Sequence, residues 1–149
     1  MPMMFRAVFG LAMLALSPSA LADNNESSLK FGAHVVHFSA LPTDFLSEEI
    51  ARQYGIERSS IRGMLNISVH KDLGGGATEA VAAQITGEAT NLSGQDIPIE
   101  IREIAGSYVS YVGLFDIVPP DTYTFLISVI PEGANLPLTL RFNKNFAGQ

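Results

Sequence analysis

The chain has no cysteine. Disulfides and thiol nucleophiles are therefore excluded, and so is a lipid anchor attached to a cysteine at a mature N-terminus. A domain without cross-links must draw its stability from its core. Histidine is scarce, with three among 149 residues, and Lys and Arg number 9 against 15 Asp and Glu, for a formal net charge of −6. A surface of that sign favours solubility and is a poor match to polyanions, because nucleic-acid affinity rests on neutralising phosphates. Long apolar runs are also lacking. One stretch, Ala7 to Leu16, is apolar apart from Gly10, and it is about half the roughly 20 residues a membrane span requires. There is no G-x-S-x-G elbow, P-loop or G-x-G-x-x-G fingerprint. Gly74-Gly75-Gly76 reads as a turn rather than a phosphate cradle. Neither internal repeats nor low-complexity tracts occur.

The apolar stretch has a different meaning. Arg6 is the only charged side chain before Asp23, Ser17-Pro18-Ser19 breaks any helix, and Ala20-Leu21-Ala22 offers the small residues a signal peptidase accepts. Residues 1–22 are expected to be a secretory signal peptide cleaved after Ala22. Residues 23–149 would then form a single domain, exported to the periplasm and without a membrane span. Cleavage removes four of the five methionines, leaving Met64, and takes the charge one unit further negative with the loss of Arg6.

Within that domain the dominant signal has period two. Leu65, Ile67 and Val69 alternate with Asn66, Ser68 and His70, Val81, Ala83 and Ile85 with Ala82, Gln84 and Thr86, and Ile97, Ile99 and Ile101 with Pro98, Glu100 and Arg102. Phe125, Ile127 and Val129 share one face of a strand, and Leu138, Leu140 and Phe142 share another. Alternation places one set against a core and the other toward water. Phe31–Ser39 and Tyr108–Phe115 are rich in β-branched and aromatic residues. The count is about seven strands, separated by turns at 74–76, 91–96, 105–106, 119–121 and 131–133. Asp23 to Ser28 reads as a polar, flexible lead-in. The expected fold is mainly β, an immunoglobulin-like antiparallel sandwich, with a small barrel as the alternative.

One helix interrupts the strands, between the first two of them. Ser47 is its N-cap, Glu48 and Glu49 suit its positive end, Arg52 its other end, and Gly55 its left-handed close. Phe45, Ile50 and Tyr54 form the expected buried stripe, capping an open end or edge of the sandwich. Gly63, Gly87 and Gly113 lie inside strands, where glycine marks a bulge or a tight inter-sheet contact more often than a ligand.

Candidate functional residues are few. His34 and His37 are three apart, so on a strand they face opposite ways. His70 can meet one of them across strands, although two imidazoles without a carboxylate or thiolate make a weak metal site. Asp44 and Arg58 flank the helix and suit a structural clasp. Asn91 suits a turn brace through its own backbone. The candidate ligand or partner surface is His37, Asp44, Tyr54, Arg58, Asn66 and Asn91, with no catalytic residue and no cofactor expected.

The quoted residues also carry a resemblance. L-P-T-D-F-L at 41–46, Y-G-I-E-R-S at 54–59 and L-N-I-S-V at 65–69 are followed by G-E-A-T-N-L-S-G-Q at 87–95 and R-E-I at 102–104. In this order they resemble the DUF4426 family of exported bacterial proteins. The resemblance implies a Gram-negative envelope protein and brings no activity or catalytic residue with it. The expected function is a non-enzymatic binding or accessory module contacting an envelope protein partner, with a metal- or small-ligand-binding protein as the alternative and a hydrolase as the third.

Overall fold

The structure, a computed structural model, describes residues 26–104 and 110–147. The expected signal peptide, the start of the lead-in, the 105–106 connection and the first residues of the Tyr108–Phe115 segment lie outside the described residues. Ten strands follow in order: β1 (Glu26–Phe31), β2 (His34–Pro42), β3 (Arg62–Gly74), β4 (Ala77–Ala80), β5 (Ala83–Asn91), β6 (Asp96–Pro98), β7 (Glu100–Ile104), β8 (Ser110–Asp116), β9 (Asp121–Pro131) and β10 (Leu138–Phe146). A 3-10 turn (Thr43–Phe45) and helix α1 (Glu48–Tyr54) separate β2 from β3.

The strands form two antiparallel sheets, ordered β1-β2-β3-β8-β7 and β10-β9-β5-β6. The long β3 pairs with β8 along its first half and with β4 along its second. Alternation explains the layering. In β9, Tyr123, Phe125, Ile127 and Val129 are buried while Leu126 between them is exposed. They meet Val36, Phe38, Ala40, Leu65, Ile67 and Val69 of the other sheet in one core. Four aromatic rings run through its middle. Phe38 lies 4.5 Å from Phe142, Phe142 stacks on Phe125 at 4.9 Å, and Phe125 meets Phe115 edge-on at 5.2 Å.

Ten strands replace the expected seven, and the helix therefore follows the second strand. Glu26–Ser28, read as flexible, belongs to β1, which pairs with β2 from Glu26↔Ser39 to Phe31↔His34. An edge strand is held through its backbone, so a polar sequence does not exclude it. Ile97, Ile99 and Ile101, expected on one strand, are divided between sheets. Asp96–Pro98 pairs with β5 and Glu100–Ile104 with β8. Pro98 has no N–H to extend a ladder, and Ile99 packs against the core at the crossing.

The helix caps match their sequence signals. Ser47 Oγ accepts from the Ile50 N–H at 3.2 Å. Gly55 takes φ 64° and ψ 37°. The N–H groups of Gly55 and Ile56 donate to the Arg52 and Ala51 carbonyls, the paired bonds of a Schellman close. Of the expected buried stripe, Tyr54 packs and the other two residues do not. Phe45 is 71% exposed and Ile50 sits at the surface, while Ala51 is buried. With seven residues the helix has little face of its own. Its last residue, Tyr54, and the flanking Leu46 and Ile56 supply the contact, gathering on Met64, Val112, Ile104 and Leu114. Met64 and Val112 alternate with the core-facing Leu65 and Tyr111, so the helix segment covers the outer face of the first sheet rather than an open end or edge.

The strand glycines are places where a neighbour lies across the backbone. A Cβ at Gly63 would collide with the Phe115 ring, one at Gly87 with Ile127 Cδ1, and one at Gly113 with Ile99 Cγ2. Phe115 and Ile127 are the pairing partners of Gly63 and Gly87 within the same sheet, so those two contacts are cross-strand rather than inter-sheet. Gly63→Ala is expected to destabilise by about 1–3 kcal/mol, because the ring must leave its well. A lower urea midpoint at unchanged slope would register this. An unchanged midpoint would mean the ring has room to move.

The β3–β4 turn carries an acid-sensitive brace. Asp72 Oδ1 accepts from the Gly74 N–H at 2.9 Å, and its Oδ2 lies 3.2 Å from Lys30 Nζ. The Gly74 N–H first, and Lys30 second, hold the Asp72 carboxyl below the ordinary value of 3.8. A depressed carboxylate stabilises the fold above its unfolded pKa and loses that contribution as pH falls through its folded pKa. Asp72→Asn should therefore lie below the wild type in urea midpoint at neutral pH and converge with it below pH 3.8. A gap that widens toward acid would contradict this assignment.

Candidate functional site

The segment joining β2 to β3 is locked at its base by Thr43, the fully buried polar residue among those described. Thr43 Oγ1 accepts from the Ser59 N–H at 2.8 Å and donates toward the Glu57 carbonyl at 2.8 Å. These bonds draw 57–59 against the 3-10 turn and set the directions of its neighbours Asp44 and Phe45. The expected Asp44–Arg58 clasp takes a different form. The Arg58 guanidinium donates to the Asp44 main-chain carbonyl at 3.1 Å and lies 3.8 Å from the exposed Glu48 carboxylate.

Beside this lock a groove of about 580 Å³ opens, within the range typical of ligand sites. Leu41, Phe45 and Ile61 form one apolar side, and Pro119 and Pro120, joined by a cis peptide bond, form another. Phe146, itself part of the core, lies at its floor. Asp44 and Lys144 bring opposite charges to it, and Ser60 and Asn145 add neutral polar groups. The groove thus offers apolar area with a few polar groups to orient what enters.

The other candidate residues lie elsewhere. Among Asp44, Tyr54, Arg58 and Asn66, Asp44 alone lines the groove. Tyr54 packs in the cluster under the helix, and its carbonyl accepts from Arg102 at 2.6 Å. Asn66 is exposed on the outer face of β3, between Ser39 and Val112. Asn91 braces the β5–β6 turn, its Oδ1 accepting from the Gln95 N–H at 2.9 Å. His37 stands with His70 on the outer face of the first sheet, ring centres 5.2 Å apart and edge-on. Among the described residues no group of three or more His, Cys, Asp or Glu could hold a metal ion, and no helix is long and apolar enough to cross a membrane.

Sequence reasoning missed Phe45, Ile61, Lys144 and the proline pair as groove residues, and Thr43 as the lock beside them. The usable signals were Thr43 and Phe45 within L-P-T-D-F-L, with apolar residues on a loop rich in turn formers. Lys144 carries no local signal.

Comparison with known proteins places this geometry. The sequence profile of DUF4426, a domain of unknown function, matches residues 28–147. The crystal structure of a DUF4426 family protein from Pseudomonas aeruginosa PAO1 is similar, with a TM-score of 0.71 and 28% identity over 84% of this chain and 97% of that one. No curated protein matches the chain.

Proposed function

The chain belongs to the DUF4426 family, and from that premise we propose that it is an exported periplasmic domain acting as a non-enzymatic binding module through protein–protein contact in the cell envelope. The observation that carries this reading is the groove with its exposed apolar rim. Phe45 and Ile61 are 71% and 65% exposed, and Val118 beside the proline pair is 75% exposed. Single exposed apolar residues are ordinary, whereas a group of them around a cleft marks a contact surface.

The scaffold reads as immunoglobulin-like. The order β2-β3-β8-β7 against β10-β9-β5-β6 corresponds to the A-B-E-D and G-F-C-C′ sheets of that fold. Tyr123, near the start of β9, accepts the Val118 N–H through its hydroxyl at 3.0 Å, in the manner of a tyrosine corner. Such sandwiches serve many functions, so it is the groove and not the fold that bears on what this domain contacts.

Two measurements test the proposal. N-terminal sequencing of the protein from a periplasmic fraction should begin at Asp23. A photo-crosslinking residue placed at Phe45 in intact cells should give a reproducible protein adduct, while the same residue at Leu126, on the outer face of the second sheet, should not. An absence of adducts at Phe45 across growth conditions removes the contact reading.

A further inference from the structure

We propose that His37 and His70 form a two-imidazole site for a divalent transition metal, copper(II) foremost, on the outer face of the first sheet. His37 on β2 and His70 on β3 are diagonal neighbours across the antiparallel pair, since His37 stands opposite Ser68 and His70 opposite Val35. Both are half-buried, and both alternate with the core-facing Val36 and Val69. The sheet therefore fixes their Cα positions, and neither imidazole needs a loop to move for the two to meet.

The ring geometry fits a shared ion. Two imidazoles bound to one metal at about 2.0–2.1 Å per nitrogen hold their ring centres roughly 4.5 Å apart at the right angle of a tetragonal copper(II) site and roughly 5 Å apart at a tetrahedral angle, a difference that a small ring rotation covers. The observed separation is 5.2 Å with the ring planes at 90°. Around the pair are neutral donors: Ser68 opposite His37 on one side and Ser28 opposite it on the other. With two protein nitrogens and no carboxylate cluster, the remaining positions go to water or to a second molecule. The site is open and exchangeable rather than structural. Imidazole pairs without thiolate favour copper(II) over nickel and zinc by the general order of divalent affinities.

The site stands apart from the groove and does not depend on it. The experiment is titration of the mature domain with copper(II) alone in a non-coordinating buffer, followed by electron paramagnetic resonance. One copper per chain, with hyperfine structure from two nitrogens, is the expected result. His37→Asn and His70→Asn should each weaken binding by roughly tenfold or more. His34→Asn, on the opposite face of β2, should leave it unchanged. Thermal melts keep the comparison fair. Without metal all three variants should melt near the wild type, and added copper should raise the midpoint of the wild type and of His34→Asn but not of the other two. Copper binding that survives both His37→Asn and His70→Asn, or no binding in the micromolar range, would overturn the assignment.

Discussion

Phe125→Ala is expected to lower the unfolding free energy by about 3–5 kcal/mol, the largest effect of any substitution considered. Phe125 is fully buried and lies between Phe142, stacked on it, and Phe115, edge-on to it. Its removal opens a void bordered by rings from both sheets, and rings held by strands on two sides cannot collapse into it. A domain of ordinary stability has about 5–15 kcal/mol in total, so the variant should unfold at markedly lower urea, with unchanged slope. Leu126→Ala is the internal control. It is the next residue on β9, points outward, and should stay within about 0.5 kcal/mol of the wild type. Comparable losses at 125 and 126 would contradict the layer assignment.

Thr43→Val is expected to be the most damaging change near the groove. It keeps the shape of the side chain and removes the hydroxyl, leaving the Ser59 N–H and the Glu57 carbonyl without the partner they have now. Each polar group left unsatisfied in a buried setting costs about 1–3 kcal/mol. The loss should also appear locally, as faster amide hydrogen exchange at Ser59, because the 57–59 segment is no longer drawn to the 3-10 turn. Thr43→Ser, which keeps the oxygen, should retain protection. Arg58→Ala should change stability by no more than about 1 kcal/mol, since its contacts are exposed. A larger loss at Arg58 than at Thr43 would return the clasp to the charged pair.

The contrast between these two residues shows where the sequence was readable. Inward-facing residues of β3, β9 and β10 announce themselves by alternation because burial acts on every second side chain. Ser47 and Gly55 are legible because a cap is a local event. Asn91 is legible for the same reason, its bonds to Gln95 spanning four positions. What fails is whatever depends on a distant surface. The helix position follows from Met64 and Val112, which place apolar side chains on both faces of β3 and β8. The adjacent pairs Met64-Leu65 and Tyr111-Val112 carried that message, since a strand covered on both sides loses its strict alternation. β1 was hidden because its pairing is made by backbone. The groove was hidden because its walls come from positions 41–42, 44–45, 60–61, 119–120 and 144–147, brought together only once both sheets exist. Thr43 was passed over because charge drew attention to its neighbours, whereas the stronger constraint is a neutral hydroxyl in a dry place.

The strand order has a consequence in time as well as in space. The pairings at the centre of the two sheets, β3 with β8 and β5 with β9, join residues as remote as Leu65 with Gly113 and Gly87 with Ile127. Hairpins such as β1–β2 and β9–β10 close over short loops, but neither buries the aromatic rings alone. The rate-limiting event must therefore gather remote parts of the chain before much apolar area is repaid, the condition under which sandwiches fold on the order of milliseconds to seconds. During that interval the alternating strands are open to other chains. The polar edge of β1 then matters as a guard on the assembly of the molecule, beyond its place in the finished sheet.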